Sequence, residues 1–316
     1  MKKSFVWILS ALLILSITGC AMAEEPARVV ALKGPTGIGM VEMIANPGED
    51  WTFALAGSPD EIVSAIASAS ADIAAVPTNL AVTLFNKTNG NVRLLALNTL
   101  GVLHILEKGE SVQSVEDLNG KTLVLTGQGA MPEYVIEYIV DQFDLDVTLE
   151  YKAEHSELAT LAAAGMSDLV LLPEPFATSV LMQNADFRRA LDVTELFAQA
   201  AEKAGQAGTV LSMGCLIARA EFVEQHPEQV EAFLTAYSQS VDFVLENPAD
   251  AAQLVQETGI LPSAAVAEKA MPGCNIVFIA GEDMRVQIEP MFQMLFDANP
   301  ASIGGAMPGD DFYYVP

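Results

Sequence analysis

The sequence predicts an α/β protein of two similar halves, each a mostly parallel sheet flanked by helices. Three observations lead there. A frame recurs: Glu61-Ile62, nine residues, Asp72-Ile73, three residues and Pro77 reappear ninety-six positions later as Glu157-Leu158, nine residues, Asp168-Leu169, three residues and Pro173. In each copy a Glu-led helix rich in small residues runs into a short apolar strand that stops at proline. Two copies are too few for a solenoid, which needs at least three stacked units. Strand and helix signals also alternate with short turns along the body, the pattern of a parallel α/β sheet. Finally, 316 residues suffice for two domains with full cores, and 51% hydrophobic with 18% charged residues is a globular composition.

Residues 28–33 read as the first strand, followed by the turn Gly34-Pro-Thr-Gly-Ile-Gly39 and a helix over 40–45. A strand over 51–56 precedes Ser58-Pro59-Asp60-Glu61, where a capping serine, a proline at the first helical position and an acid at the third start a helix. Strand 73–76, a helix from 78 or 79, and strand 92–98 complete the first run. The second run holds strand 102–107, a short helix opened by Ser114, strand 122–125, the glycine turn 127–129 and a helix over 132–143. Strand 147–151, helix 156–164, strand 169–172, helix 176–183 and one more helix within 186–208 follow. Residues 213–220 read as the strand that returns the chain to the first half. Helices over 226–246, 248–258 and 263–270, strand 276–279, helix 283–298 and a tail folded back through Phe312-Tyr313-Tyr314 close the chain. The expected layout is a discontinuous lobe I (27–101 plus 217–316) with lobe II (102–216) inserted.

The N-terminus reads as a targeting segment over residues 1–19. Lys2 and Lys3 supply the positive start, residues 5–17 an apolar stretch too short to span a bilayer comfortably, and Ile17-Thr18-Gly19-Cys20 a small-residue cleavage site. Cysteine directly after the site makes the segment resemble a bacterial lipobox. The expected mature chain begins at lipidated Cys20 and reaches the folded body through a tether over 20–26. Several acyl chains on one residue anchor stably where a single chain is marginal.

A formal net charge of −26 excludes a nucleic-acid partner, because phosphate binding needs Lys and Arg clusters and none is present. Cys215 and Cys274 sit in apolar runs and read as free thiols, although export also permits a disulfide. No Cys-x-x-Cys or histidine cluster supports a metal site, and no cofactor is expected: glycines at 34, 37 and 39 are not a dinucleotide fingerprint, and no phosphate loop exists. With three histidines and no nucleophile elbow, a nucleophile–base–orienter set cannot be assembled.

In open α/β sheets, ligands lie beyond the carboxyl ends of the strands. The ligand-contact candidates are therefore Thr36, Gly37, Ser58, Thr78, Asn79 and Asn98 from the first half. Gln128, Gly129, His155, Glu174 and Phe176 come from the second. Glycine turns let backbone N–H groups approach a ligand, and helix N-termini add partial positive charge. Thr36, Ser58 and Thr78 read equally well as helix caps, His155 as an exposed residue beside Glu154, and Glu174 as a partner in a surface ion pair. The methionines at 284, 291 and 294 read as core.

The lipobox, Gly34-Pro-Thr-Gly-Ile-Gly39, Asp72-Ile-Ala-Ala-Val-Pro-Thr-Asn79, Gly127-Gln-Gly-Ala130, Pro173-Glu-Pro-Phe176 and Phe222-Val-Glu-Gln-His-Pro-Glu228 together resemble the solute-binding lipoproteins of bacterial ABC importers. Within these the chain is similar to the nitrate/sulfonate/taurine and thiamine-pyrimidine-precursor group. The resemblance implies a two-lobed type II periplasmic-binding fold with two hinge strands, closing over one small solute. It further implies a monomer, lipid-anchored outside the cell membrane, that serves an ABC permease and its ATPase. Sulfonate and nitrate binders hold anions with helix N-termini and amides, whereas pyrimidine binders use aromatic and acidic side chains, here Glu174 and Phe176 with Trp51 or Tyr134. Lys33 is nearly the only cation in the presumed cleft loops, which tilts the expectation toward a neutral or weakly basic organic solute. A ligand-sensing lipoprotein is the alternative. An enzyme on the same fold is the other, although the cysteine-rich motif of the eukaryotic pyrimidine synthase is missing here.

Overall fold

The protein is described by a computed structural model over residues 25–316; the leader, Cys20 and the tether up to residue 24 lie outside the described residues. Two mixed sheets organise the chain. The six-stranded sheet contains β1 (Ala27–Leu32), β2 (Trp51–Ala56), β3 (Ile73–Pro77), β4 (Val92–Leu100), β10 (Ser212–Arg219) and β11 (Ile276–Ala280) in the order β11-β4-β10-β3-β1-β2. The five-stranded sheet contains β5 (Leu103–Lys108), β6 (Thr122–Thr126), β7 (Thr148–Lys152), β8 (Leu169–Pro173) and β9 (Phe187–Asp192) in the order β7-β6-β8-β5-β9. In the first sheet β1 to β4 run one way, with β10 inserted antiparallel between β3 and β4. In the second, only β5 runs against its neighbours.

Thirteen α-helices connect and cover the sheets among the described residues. They are α1 (Pro35–Ile38), α2 (Val41–Ala45), α3 (Pro59–Ala67), α4 (Thr78–Lys87), α5 (Met131–Gln142), α6 (His155–Ala163), α7 (Phe176–Gln183) and α8 (Val193–Lys203), then α9 (Ala220–Gln225), α10 (Pro227–Glu246), α11 (Pro248–Glu257), α12 (Ala264–Ala270) and α13 (Gly281–Ala298). The recurring frame holds element for element: α3–β3 and α6–β8 share the same ninety-six-residue offset. β3 and β8 each lie between two other strands, and Ile73-Ala-Ala-Val76 is wholly buried, as a central strand covered on both faces must be. At the start of α3, Glu61 reaches back to accept from the Gly57 N–H and the Ser58 hydroxyl, while Ile62 and Ile66, one turn apart, face the core.

Two local readings need correction. Residues 34–45 hold two short helices, beginning at Pro35, instead of a turn and one helix. The stretch 186–208 begins with a strand, β9, before the expected helix. β9 carries no alternating apolar pattern; it is an edge strand whose Arg188 and Arg189 pair with carboxylates on β5 and after β8.

The chain crosses between the sheets twice, from β4 to β5 and from α8 to β10. Because β10 pairs along its length with β3 and β4, the division expected after residue 216 runs through one strand, and the pairing puts the change of sheet before Ser212. Met284, Met291 and Met294 are buried, and Cys215 and Cys274 are buried free thiols, pushed up in pKa by desolvation. The C-terminal tail folds back: Phe312 is fully buried against Phe85 and Phe292. No described helix is long and apolar enough to cross a membrane.

Candidate functional site

A cleft of about 810 Å3 lies between the two sheets. The strand-to-helix turns build it, as the carboxyl-end rule demands. From the six-stranded half come the loop after β1 (Leu32 to Thr36), the start of α3, Pro77, Asn79 and Leu80 after β3, and Thr99 on β4. From the five-stranded half come Val102, the start of α5, His155 at the head of α6, and Pro173 to Phe176 after β8. The prolines that close the two copies of the recurring frame, Pro77 and Pro173, therefore both face the cleft. Apolar side chains set its character, among them Leu32, Leu80, Met131, Phe176, Met213 and Leu261. Helices α3, α4, α5, α6 and α7 all begin at this space, so their free N–H groups give it partial positive charge without a formal cation.

The expected contact residues divide into two groups. Thr36, Asn79, His155, Glu174 and Phe176 line the cleft. Gly37, Ser58, Thr78, Asn98, Gln128 and Gly129 do not. Gly37 is a packing residue: a Cβ there would stand 2.7 Å from the Leu32 carbonyl oxygen. Ser58 serves the start of α3 through Glu61. Thr78 is buried and shares a 2.8 Å hydrogen bond with Ser212, while the buried Asn98 donates to the Thr36 carbonyl at 3.1 Å and shapes the β1 loop from behind. Gln128 is exposed, and the Gly129 N–H is taken by Glu133. Trp51 packs edge-on against Phe233 away from the cleft, and the Tyr134 hydroxyl donates to the Gly129 carbonyl.

Sequence reasoning missed Met213 and the loop Ile260-Leu261-Pro262-Ser263 with Val266. That loop joins two helices, α11 and α12, so a rule based on strand ends does not find it. The proline after the apolar pair Ile260-Leu261 is the one local sign that it is shaped for contact.

Lys33, His155 and Glu174 are the ionisable groups on the cleft wall among the described residues. Glu174 is 2% exposed and committed: Arg189 pairs with one carboxylate oxygen, and the Thr178 N–H donates to the other at 3.1 Å. The second half of that pair is also anchored, since Arg189 donates to the Thr178 hydroxyl at 2.9 Å. A buried carboxylate neutralised in this way adds little net charge to the cleft. Burial lowers the His155 pKa, against the nearby Glu154, and so favours the neutral imidazole. Its Nδ1 bonds the Thr126 hydroxyl, and its ring lies 5.4 Å from that of Phe176 at a 42° tilt.

A family profile described as NMT1/THI5 like matches residues 58–251, more than half of the chain. The chain belongs to the NMT1/THI5-like family. Among curated proteins none matches this sequence. Solved structures share the fold of this NMT1/THI5-like chain at low identity. An ABC transporter protein from Parabacteroides distasonis is 20% identical, with 93% of this chain and 99% of that one covered and a TM-score of 0.78. The periplasmic aliphatic sulphonate binding protein SsuA of Escherichia coli is 13% identical, with 93% of each chain covered and a TM-score of 0.69. The alkanesulfonate-binding SsuA of Xanthomonas axonopodis pv. citri, bound to MOPS, is 14% identical, with 93% and 100% covered and a TM-score of 0.63. At these identities the likeness establishes the fold, a two-lobed type II periplasmic-binding architecture.

Proposed function

We propose that the protein is an extracytoplasmic solute-binding lipoprotein, anchored through Cys20, which takes a small organic solute between lobes I and II and hands it as a monomer to an ABC permease driven by its ATPase. The cleft carries this reading: it lies at the strand ends of both sheets, where closure of the lobes would bring contacts from each half onto one molecule. Structural relatives that bind sulfonates or belong to ABC transporters agree with it.

The preferred solute is an uncharged, ring-bearing compound of pyrimidine type. Apolar walls dominate the cleft, Lys33 is its one cation among the described residues, and Glu174 has its charge compensated by Arg189. A bare nitrate or a short sulfonate would leave most of these apolar walls unfilled. Isothermal titration with hydroxymethylpyrimidine, taurine, an alkanesulfonate and nitrate is the test. Heat from the pyrimidine and none from nitrate is expected, whereas a silent pyrimidine beside a binding sulfonate reverses the choice of solute class. Native mass spectrometry of the freshly purified protein identifies whatever occupies the cleft.

A further inference from the structure

We infer that His155 is locked as an Nε2–H donor at the cleft wall, with Thr126 as the positioning residue, and that the solute presents a hydrogen-bond acceptor there. The inference deepens the solute-binding reading and rests on it for the second half. Thr126 ends β6 and is 1% exposed, so water does not reach its hydroxyl. That hydroxyl has one hydrogen to place, and among the described residues its partner is His155 Nδ1. Were Nδ1 to carry the imidazole hydrogen, the threonine oxygen would accept it and the threonine's own hydrogen would go unmatched. Leaving a buried donor unmatched costs the desolvation of that group with nothing to offset it. Leaving one lone pair of the oxygen unused costs less, because the hydroxyl has already made its donation. Nδ1 is therefore the acceptor, and Nε2 carries the hydrogen.

The charged form is disfavoured by the same geometry. An imidazolium also holds a hydrogen on Nδ1, and His155 is the first residue of α6, where the helix dipole opposes a cation. What remains is a neutral ring whose Nε2–H has no protein partner among the described residues, set in the cleft wall beside Phe176. A donor in such a place discriminates. A solute with an acceptor at its edge satisfies it while laying its ring against Phe176, and one without leaves the N–H to whatever water the closed cleft retains. The matching chemistry is a flat heterocycle with an unprotonated ring nitrogen or carbonyl.

The lock is tested without any solute. Imidazole 15N–1H correlation spectra of the full chain at pH 7 should show His155 with an acceptor-type Nδ1 and a protonated Nε2. The Thr126→Val variant should relax it toward a mixture of tautomers. An Nδ1–H tautomer or an imidazolium in the unmodified protein overturns the inference, whether or not the variant folds. The donor role is then read with hydroxymethylpyrimidine as probe. The Nε2–H resonance should move on binding, and His155→Phe should weaken binding about tenfold, the loss of one hydrogen bond. Binding with an unmoved Nε2–H and equal affinity in His155→Phe overturns the donor role. If neither the pyrimidine nor the other three solutes bind, the solute-class reading fails, and the solute-free spectra still decide the lock.

Discussion

Asp72, at the head of the strand in the first copy of the recurring frame, shows what one buried charge does for the fold. Its carboxylate is 5% exposed at the start of β3, where it takes the backbone N–H and guanidinium of Arg28, with contacts of 3.0, 2.9 and 2.7 Å, and Arg219 of β10 at 3.0 Å. Three strands, β1, β3 and β10, are thereby tied at one point. Burial pushes the Asp72 carboxyl up, but the hydrogen bonds from Arg28 and Arg219 outweigh it, and the pKa lies below the ordinary carboxylate value. A depressed folded-state pKa stabilises the protein above the unfolded-state value and loses that effect as pH falls through the folded-state value. Asp72→Asn should therefore cost about 3 kcal/mol at pH 7, the cost of stripping a buried pair of one partner. Urea denaturation across pH should show the deficit constant above about pH 5 and shrinking below about pH 4. A deficit that persists undiminished into strong acid would show that packing, not charge, sets the cost.

At the scale of elements, the strands were legible wherever apolar residues run together between turn signals, and β3, β6 and β8 are the clearest cases. β9 was not, because its stability is not local. Arg188 reaches Glu107 on β5 at 2.8 Å across eighty-one residues, and Arg189 meets Glu174 beyond β8. A sequence window over 187–192 contains only the positive half of each pair. Between two prolines Glu174 read equally as a ligand group and as an ion-pair partner, and the fold pairs it with Arg189 of the edge strand while keeping it on the cleft wall. Gly37, Thr78 and Asn98 repeat the lesson: their residue types suit ligand contact, and only packing distinguishes a side chain at the cleft from one behind it. Arg189→Met should leave the Glu174 carboxylate buried without its countercharge and cost about 3–5 kcal/mol. Adding Glu174→Gln to that variant should restore part of the loss, since an amide needs no countercharge. Thermal denaturation of the four proteins in the cycle measures the coupling, and additive single losses would mean the two groups do not depend on each other.

Across the whole molecule, the two halves meet around the cleft at defined places. Asn299 after α13 donates to the Tyr134 hydroxyl of α5 at 3.0 Å, and α7 packs against α12. At a third place Gly273, in the turn Met271–Cys274 beneath α12, sits over His104 and Glu174 of the five-stranded half, with its carbonyl 3.4 Å from His104 Nε2. A Cβ at Gly273 would stand 2.9 Å from both Glu174 Oε1 and His104 Nε2. Neither can give way cheaply, because His104 is 3% exposed and Glu174 is held by Arg189 and Thr178. The backbone at Gly273 is not left-handed, so alanine there brings no conformational strain, and the methyl acts only on the approach of the halves. Overpacking of this kind costs about 1–3 kcal/mol, and here the cost falls on the arrangement in which the halves touch. Gly273→Ala should therefore shift the population toward a wider opening and weaken solute binding about tenfold, since each 1.4 kcal/mol is a factor of ten. The core of either half should keep its stability. Small-angle scattering with and without solute reads the opening directly: the variant should show a larger radius of gyration that solute only partly reverses. An unchanged radius with unchanged affinity would mean that this contact plays no part in bringing the halves together.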